Sequence, residues 1–285
     1  MKRRLLTAAV CLLCSAPLLA GGFSFKITGG AAALSGGDYN LGVQGSNDLN
    51  QASYSNVNGV FRKLSRGLNL GVEGILQLTP RLGLGLAIGY CRTREGDTVA
   101  YDWSAGSATF HDSITVKPDF YTIPVTLNLH YAVPLGPVRL DLTAGAGAYL
   151  CWFNYDDQFN SSQFDWNYHY AWKASKVAFG AQGGLGLEVP LGRSLSLVLD
   201  VLGRYVRVGD IKGSWTVGGS LAGFPYADSG DDHFFWYYEL TSGGTVYSQT
   251  ALQLHEPKNF AVSNARKGHI DFTGLAASAG FKINL

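Results

Sequence analysis

Eight stretches of the chain alternate apolar residues with polar or small ones at a period of two. Beyond residue 20 nothing approaches the roughly 20 consecutive apolar residues that a membrane-crossing helix needs. Successive side chains of an extended strand point to opposite faces, so each stretch has one oily face and one small or polar face. The stretches are Phe23–Leu34, Leu68–Leu78, Leu82–Cys91, Tyr121–Val133, Val138–Leu150, Val177–Val189, Leu195–Tyr205 and a last one that alternates up to Leu285. In the second, Leu68, Leu70, Val72, Leu76 and Leu78 oppose Asn69, Gly71, Glu73, Ile75 and Gln77. Each stretch reaches the roughly 9–11 residues with which a tilted strand crosses a bilayer.

The connections alternate strictly between long and short: 35–67, 79–81, 92–119, 134–137, 151–176, 190–194 and 208–269. In an antiparallel arrangement alternate connections emerge on the same side, so the long ones share one end and the short ones the other. That is the asymmetry of an outer-membrane barrel, with long extracellular loops and short periplasmic turns. At the start of the chain, Lys2-Arg3-Arg4, an apolar run from Leu5 to Leu13 and the small-residue finish Ala16-Pro17-Leu18-Leu19-Ala20 read as a secretory signal peptide, residues 1–20. Residues 21–285 then form the barrel domain.

The terminal stretch carries a further signature. Ser278, Gly280, Ile283 and Leu285, with Phe281 on the oily face, match the C-terminal pattern of bacterial outer-membrane barrels: polar, any, Gly, two of any, apolar, any, apolar. Leu285 stands where that family commonly ends in Phe. The chain therefore resembles the small eight-stranded outer-membrane β-barrel proteins of the OmpA-barrel, OmpX and OmpW kind. The resemblance implies an all-β fold, an eight-stranded antiparallel up-and-down transmembrane β-barrel in the outer membrane of a Gram-negative-type bacterium. It also implies lipid as the surrounding partner, and assembly machinery that reads Ser278, Gly280, Phe281, Ile283 and Leu285.

The non-oily faces carry Gly83, Gly85, Gly89, Gly145, Gly147, Gly180, Gly184 and Gly186, part of a total of 37 glycines. Glycine is a poor strand former on a face exposed to water, but it suits a narrow interior with little room for side chains. The oily face is accordingly expected to meet lipid and the other to line the lumen. Four positive charges, Lys26, Arg139, Arg204 and Lys282, then face inward with four negative ones, Glu73, Asp141, Glu188 and Asp200. Buried charges need partners, so a filled, ion-paired lumen joined by His130 is expected, with a narrow channel for small or apolar solutes as the alternative.

Function beyond structure is expected in the long loops. One presents Trp166, Tyr168, Tyr170 and Trp172 at every second position, and another holds Trp236 and Tyr238. These rings form a candidate surface for an extracellular ligand, or pack loop against loop. His111-Asp112-Ser113 and Asp231-Asp232-His233 faintly resemble the catalytic clusters of outer-membrane hydrolases, but all six residues fall in loop interiors, and a non-enzymatic protein is expected. Without Lys2, Arg3 and Arg4 the 22 Lys and Arg fall to 19, against 21 Asp and Glu, so nucleic acid is not an implied partner. No cofactor or metal motif is present. Cys91 and Cys151 remain after the leader, in stretches with another strand between them, and their pairing is left open.

Overall fold

The computed structural model describes residues 22–163 and 165–285, and the expected leader lies outside them. Among the described residues, fifteen strands and one helix follow one another. Strand β1 is Phe23–Leu34, helix α1 Asp38–Ser53 and β2 Ser55–Asn58. Next come β3 (Arg66–Gln77), β4 (Leu82–Arg94), β5 (Asp97–Ala105), β6 (Ala108–Leu135), β7 (Val138–Ser161) and β8 (Trp166–Pro190). The chain continues with β9 (Leu195–Gly209), β10 (Lys212–Leu221), β11 (Phe224–Ser242), β12 (Thr245–Gln253), β13 (Val262–Lys267), β14 (His269–Asp271) and β15 (Gly274–Asn284).

All pairings are antiparallel. They run from β1 through β3, β4, β6, β7, β8, β9 and β15 and back to β1, so that Phe25 faces both Gly74 and Ile283. The oily faces look outward: Ile27, Val72, Ile88, Leu127, Val177, Leu185, Val201 and Leu275 are each more than 40% exposed, and Phe179 is 82% exposed. In water such a belt would be a large unfavourable patch. Facing hydrocarbon, it is where these residues belong. The opposite faces are buried, as Ile75, Thr126, Asn128, Glu188 and Ser196 show.

The sheet has fifteen strands, so much of the chain expected as long loops is itself strand. Strands β6, β7 and β8 run for 28, 24 and 25 residues, well beyond what a bilayer requires. Pairing satisfies the backbone above the membrane as it does within it, so the hairpins simply continue. Residues 35–67 also contain α1, which periodicity missed because its face is weakly apolar and it carries Gly42 and Gly45. Those glycines let the helix lie against β12: a Cβ on Gly45 would overlap the Ser248 carbonyl, and one on Gly42 would meet the Thr250 side chain. The helix start is pinned by Asp38, fully buried, whose carboxylate accepts from Arg266 Nη2 at 2.7 Å and from the His269 backbone N–H at 2.9 Å.

Gly45→Val should therefore lift α1 from β12 while leaving the membrane strands paired. Limited proteolysis should cut the variant within residues 38–53 at protease levels that leave the parent intact, with the spectrum of the sheet unchanged.

Candidate functional site

Two groups of side chains stand out on the inner face, one at the level of the lipid belt and one above it. In the lower group Glu73 is the hub: Lys26 Nζ lies 3.0 Å from Oε2, while Asn128 Nδ2 donates to Oε1 at 2.6 Å and His130 Nε2 reaches it at 2.8 Å. His130 Nδ1 lies 2.8 Å from Asp141 Oδ2, an arrangement that an imidazolium satisfies with two donors. Lys26 also lies 3.4 Å from Asp200, and Lys282 bonds Glu188 at 2.9 Å. Glycine makes room for this cluster. A Cβ on Gly85 would overlap Glu73 Oε1, and one on Gly186 would overlap Asp200 Oδ1.

Two of the expected charges are not paired as the alternation suggested. Arg139 is exposed and makes no ion pair among the described residues. It sits opposite Glu188 at the rim beside the 134–137 turn, but Glu188 is already taken by Lys282 and by Ser196 Oγ at 2.9 Å, so the guanidinium stays in solvent. Arg204 is buried but faces no carboxylate among the described residues. Its Nη2 donates to Asn69 Oδ1 at 3.1 Å, and its Cζ lies 5.9 Å from the centre of the Tyr149 ring. Asp200, on the same face, is four residues further down β9 and turned to Lys26. About 80 Å³ of space remains beside these groups, room for a few waters.

Above the charges the interior turns apolar, with Phe120, Phe153, Phe272, Val206, Val208 and Ile211 fully buried and packed together. Cys91 and Cys151 belong to this layer. Both are free thiols, kept apart by β6: each faces Thr122 across its own side of that strand, and Cys151 Sγ donates to Thr122 Oγ1 at 3.3 Å.

Over this layer, beyond the end of the oily belt, lies a cavity of about 370 Å³. Its walls include Tyr39 from α1, Phe120 from β6, Tyr155 and Asp157 from β7, Tyr168, Tyr170 and Trp172 from β8, and Phe235 from β11. Thus three of the six expected loop aromatics converge. The others do not: Trp166 packs edge-on against Phe159 at 4.8 Å, Trp236 donates to the Gln253 carbonyl at 3.0 Å, and Tyr238 shares the face of β11 that points away from Phe235. The alternation reading missed Tyr39, Tyr155, Asp157 and Phe235, although Phe153, Tyr155, Asp157 and Phe159 repeat on β7 the period seen on β8. Among the described residues, Asp157 is the one charged side chain lining the cavity. Its Oδ2 has a long contact of 3.4 Å from the Tyr168 hydroxyl, and its buried Oδ1 has no hydrogen-bond partner. Burial lifts this carboxyl to about 6 from its ordinary value of 3.8, against the opposing pull of Tyr168 and His169.

The two acid–histidine clusters stay dispersed. On β6, His111 points to Asp102 across the hairpin, whereas Asp112 lies on the other face and accepts from Trp103 Nε1 at 2.9 Å. On β11, His233 stacks on Trp215 with centroids 4.2 Å apart and meets the Tyr170 hydroxyl at 2.8 Å. Consecutive strand residues alternate faces, so neither triplet assembles at one point.

Removing Glu73 leaves Lys26 and His130 without their shared acceptor, and breaking a buried pair typically costs about 3–5 kcal/mol. Glu73→Ala should accordingly lower the melting temperature strongly in detergent, whereas Arg139→Ala should change stability by no more than about 0.5 kcal/mol. Asp157 carries a pH signature of its own. A carboxyl raised in the folded state contributes its full stability below the unfolded value near 3.8, and that stability is lost as pH rises through about 6. Asp157→Asn cannot ionise, so it should melt higher than the parent at pH 8, by at most about 3 kcal/mol, and the two should converge near pH 4.

The model of the outer membrane protein beta-barrel domain matches residues 6–220. Among solved structures, a major outer membrane protein from Thermus thermophilus is 15% identical, with 92% of this chain and 99% of that one covered and a TM-score of 0.37. OprG from Pseudomonas aeruginosa is 13% identical over 93% and 97% of the two chains, with a TM-score of 0.35. The outer membrane protease OmpT from Escherichia coli is 10% identical over 95% and 100%, with a TM-score of 0.42. No curated protein sequence matches the chain. The family match spans well over half of the sequence and agrees with the oily outer belt and antiparallel pairing, so this chain belongs to the outer membrane protein beta-barrel domain family and resides in the bacterial outer membrane.

Proposed function

We propose that the membrane part is an eight-stranded barrel with a filled lumen, and that the protein acts at the cell surface as a non-enzymatic receptor for a small ligand. The observation that carries this reading is the aromatic cavity of about 370 Å³, placed above an apolar layer that separates it from the charged lumen. Its size and mixture of rings with a few polar groups match what small-molecule sites require. The absence of a converged nucleophile, base and orienting group in the two acid–histidine clusters argues against hydrolysis there.

The same reading assigns lipid to the outer belt. It assigns barrel assembly machinery to the terminal strand, where Phe281, Ile283 and Leu285 are exposed on the oily face and Ser278 and Gly280 lie on the other. A narrow channel is the competing function. It would need a continuous aqueous path through the ion-paired cluster and the apolar layer.

Purified protein in a planar bilayer should therefore show no large, stable single-channel current, and Glu73→Ala should destabilise it without opening one. A sustained conductance from the unmutated protein would replace the receptor reading with the channel. For the receptor reading itself, a screen of small aromatic and glycan ligands against the detergent-folded protein should yield binders that protect Trp172 fluorescence and fail to bind a Tyr170→Ala variant.

A further inference from the structure

Resting on the receptor reading, we infer that the cavity selects an organic cation, a molecule with an ammonium group on an apolar, ring-sized body. The charge of the lining points one way. Among the described residues Asp157 is the one carboxylate, and no Lys, Arg or His lines the space, so an anionic ligand would meet repulsion with no cationic side chain to offset it. The Asp157 carboxylate is poorly compensated by the fold, with Oδ1 buried without a partner and Oδ2 held only by the long Tyr168 contact, a condition that native structures rarely leave and that an ammonium charge in the cavity would offset.

The remaining lining offers a cation a second kind of contact. Tyr155, Tyr168 and Tyr170 offer aromatic surface, and the electron-rich face of an aromatic ring attracts a desolvated cation within about 6 Å. Here the polar ends of two large residues are already committed, because the Tyr170 hydroxyl meets His233 Nδ1 at 2.8 Å and Trp172 Nε1 donates to the His233 carbonyl at 3.3 Å. The Tyr39, Tyr155, Tyr226 and Thr250 side chains also line the space, so one negative carboxylate is set among aromatic rings and neutral hydroxyls.

The test uses the mature chain folded in a maltoside detergent at pH 8 and three probes of similar size: phenethylamine, phenethyl alcohol and phenylacetate, with benzyltrimethylammonium as a permanently charged fourth. Affinities are read by calorimetry and by tryptophan fluorescence. The two cations should bind at least about ten-fold more tightly than the alcohol, and phenylacetate most weakly. Asp157→Asn should bring phenethylamine and phenethyl alcohol to equal affinity. Asp156→Asn, one residue along and paired with His169 outside the cavity, should leave the preference intact. The probe series on the unmutated protein stands without any variant, so a misfolded Asp157→Asn would not remove the test. If the alcohol binds as well as the amines, the cavity is a ligand site without charge selection and the cation inference is overturned alone. If Asp156→Asn abolishes the preference as Asp157→Asn does, the selectivity is a surface field and the inference is again overturned. If no probe binds and a wider set of neutral aromatic and glycan ligands also fails, the receptor reading falls with it.

Discussion

Hydrocarbon offers no hydrogen-bond partner, so every backbone N–H and C=O that meets the membrane must be paired within the protein. That constraint accounts for the return of the pairings to β1, where the Leu285 N–H reaches the Phe23 carbonyl at 2.9 Å and seals the last position. It also explains why the interior is narrow. Few strands around a small circumference leave space for only close-packed side chains, and the positions opposite the oily face become glycines or tightly hydrogen-bonded polar groups. Gly85 and Gly186 are consequences of the closure, since a methyl group at either would displace a carboxylate from its ion pair.

Above the membrane the same strands obey a different demand. The strand β9 follows β8 only as far as Val206 opposite Gly180, and from Ala174 upward β10 takes its place beside β8. With β10, β11 and β12 inserted, the perimeter of the upper sheet grows. The inner faces of β7 and β8 then pass from Gly145 and Gln182 to Tyr155 and Trp172 without a change of period. Larger residues are required because there is more space to fill, and α1 enters from the side of β12 to occupy part of it. The part left over is the cavity. It is thus a product of where β9 leaves the wall, and its lining is the lumen face continued at greater width.

Alternation made the strands legible because lipid and lumen impose opposite chemistry on neighbouring residues, and Leu68 to Gln77 or Val138 to Gly147 could follow no other period. The sites were less legible for reasons that alternation cannot encode. A period of two places Arg139 and Arg204 on the inner face but says nothing of height. Arg139 proves to sit at the rim beside a carboxylate already held by Lys282, while Arg204 lies a level above the carboxylates and rests on Asn69 and Tyr149. His130 gains its central place from the register that sets β6 between β4 and β7, and register between distant strands is not written locally. The helix was hidden for a related reason. Its stability comes from Asp38 held by Arg266 and His269, residues more than 200 positions away, rather than from an apolar stripe of its own.

The contrast between the carboxylates of the two levels carries the functional argument further. Glu73, Asp141, Glu188 and Asp200 each have a cationic or imidazole neighbour within 3.4 Å, as burial in a low-dielectric interior demands. Asp157 is the exception on the same continuous face, with aromatic rings around it and an unpartnered oxygen. A purely structural upper layer would be more stable with an apolar residue at that position, because the cost of desolvating a carboxylate brings no return in packing. A carboxyl whose cost the fold itself does not offset makes physical sense where the compensating charge arrives from outside, and the aromatic walls set the shape of what can deliver it.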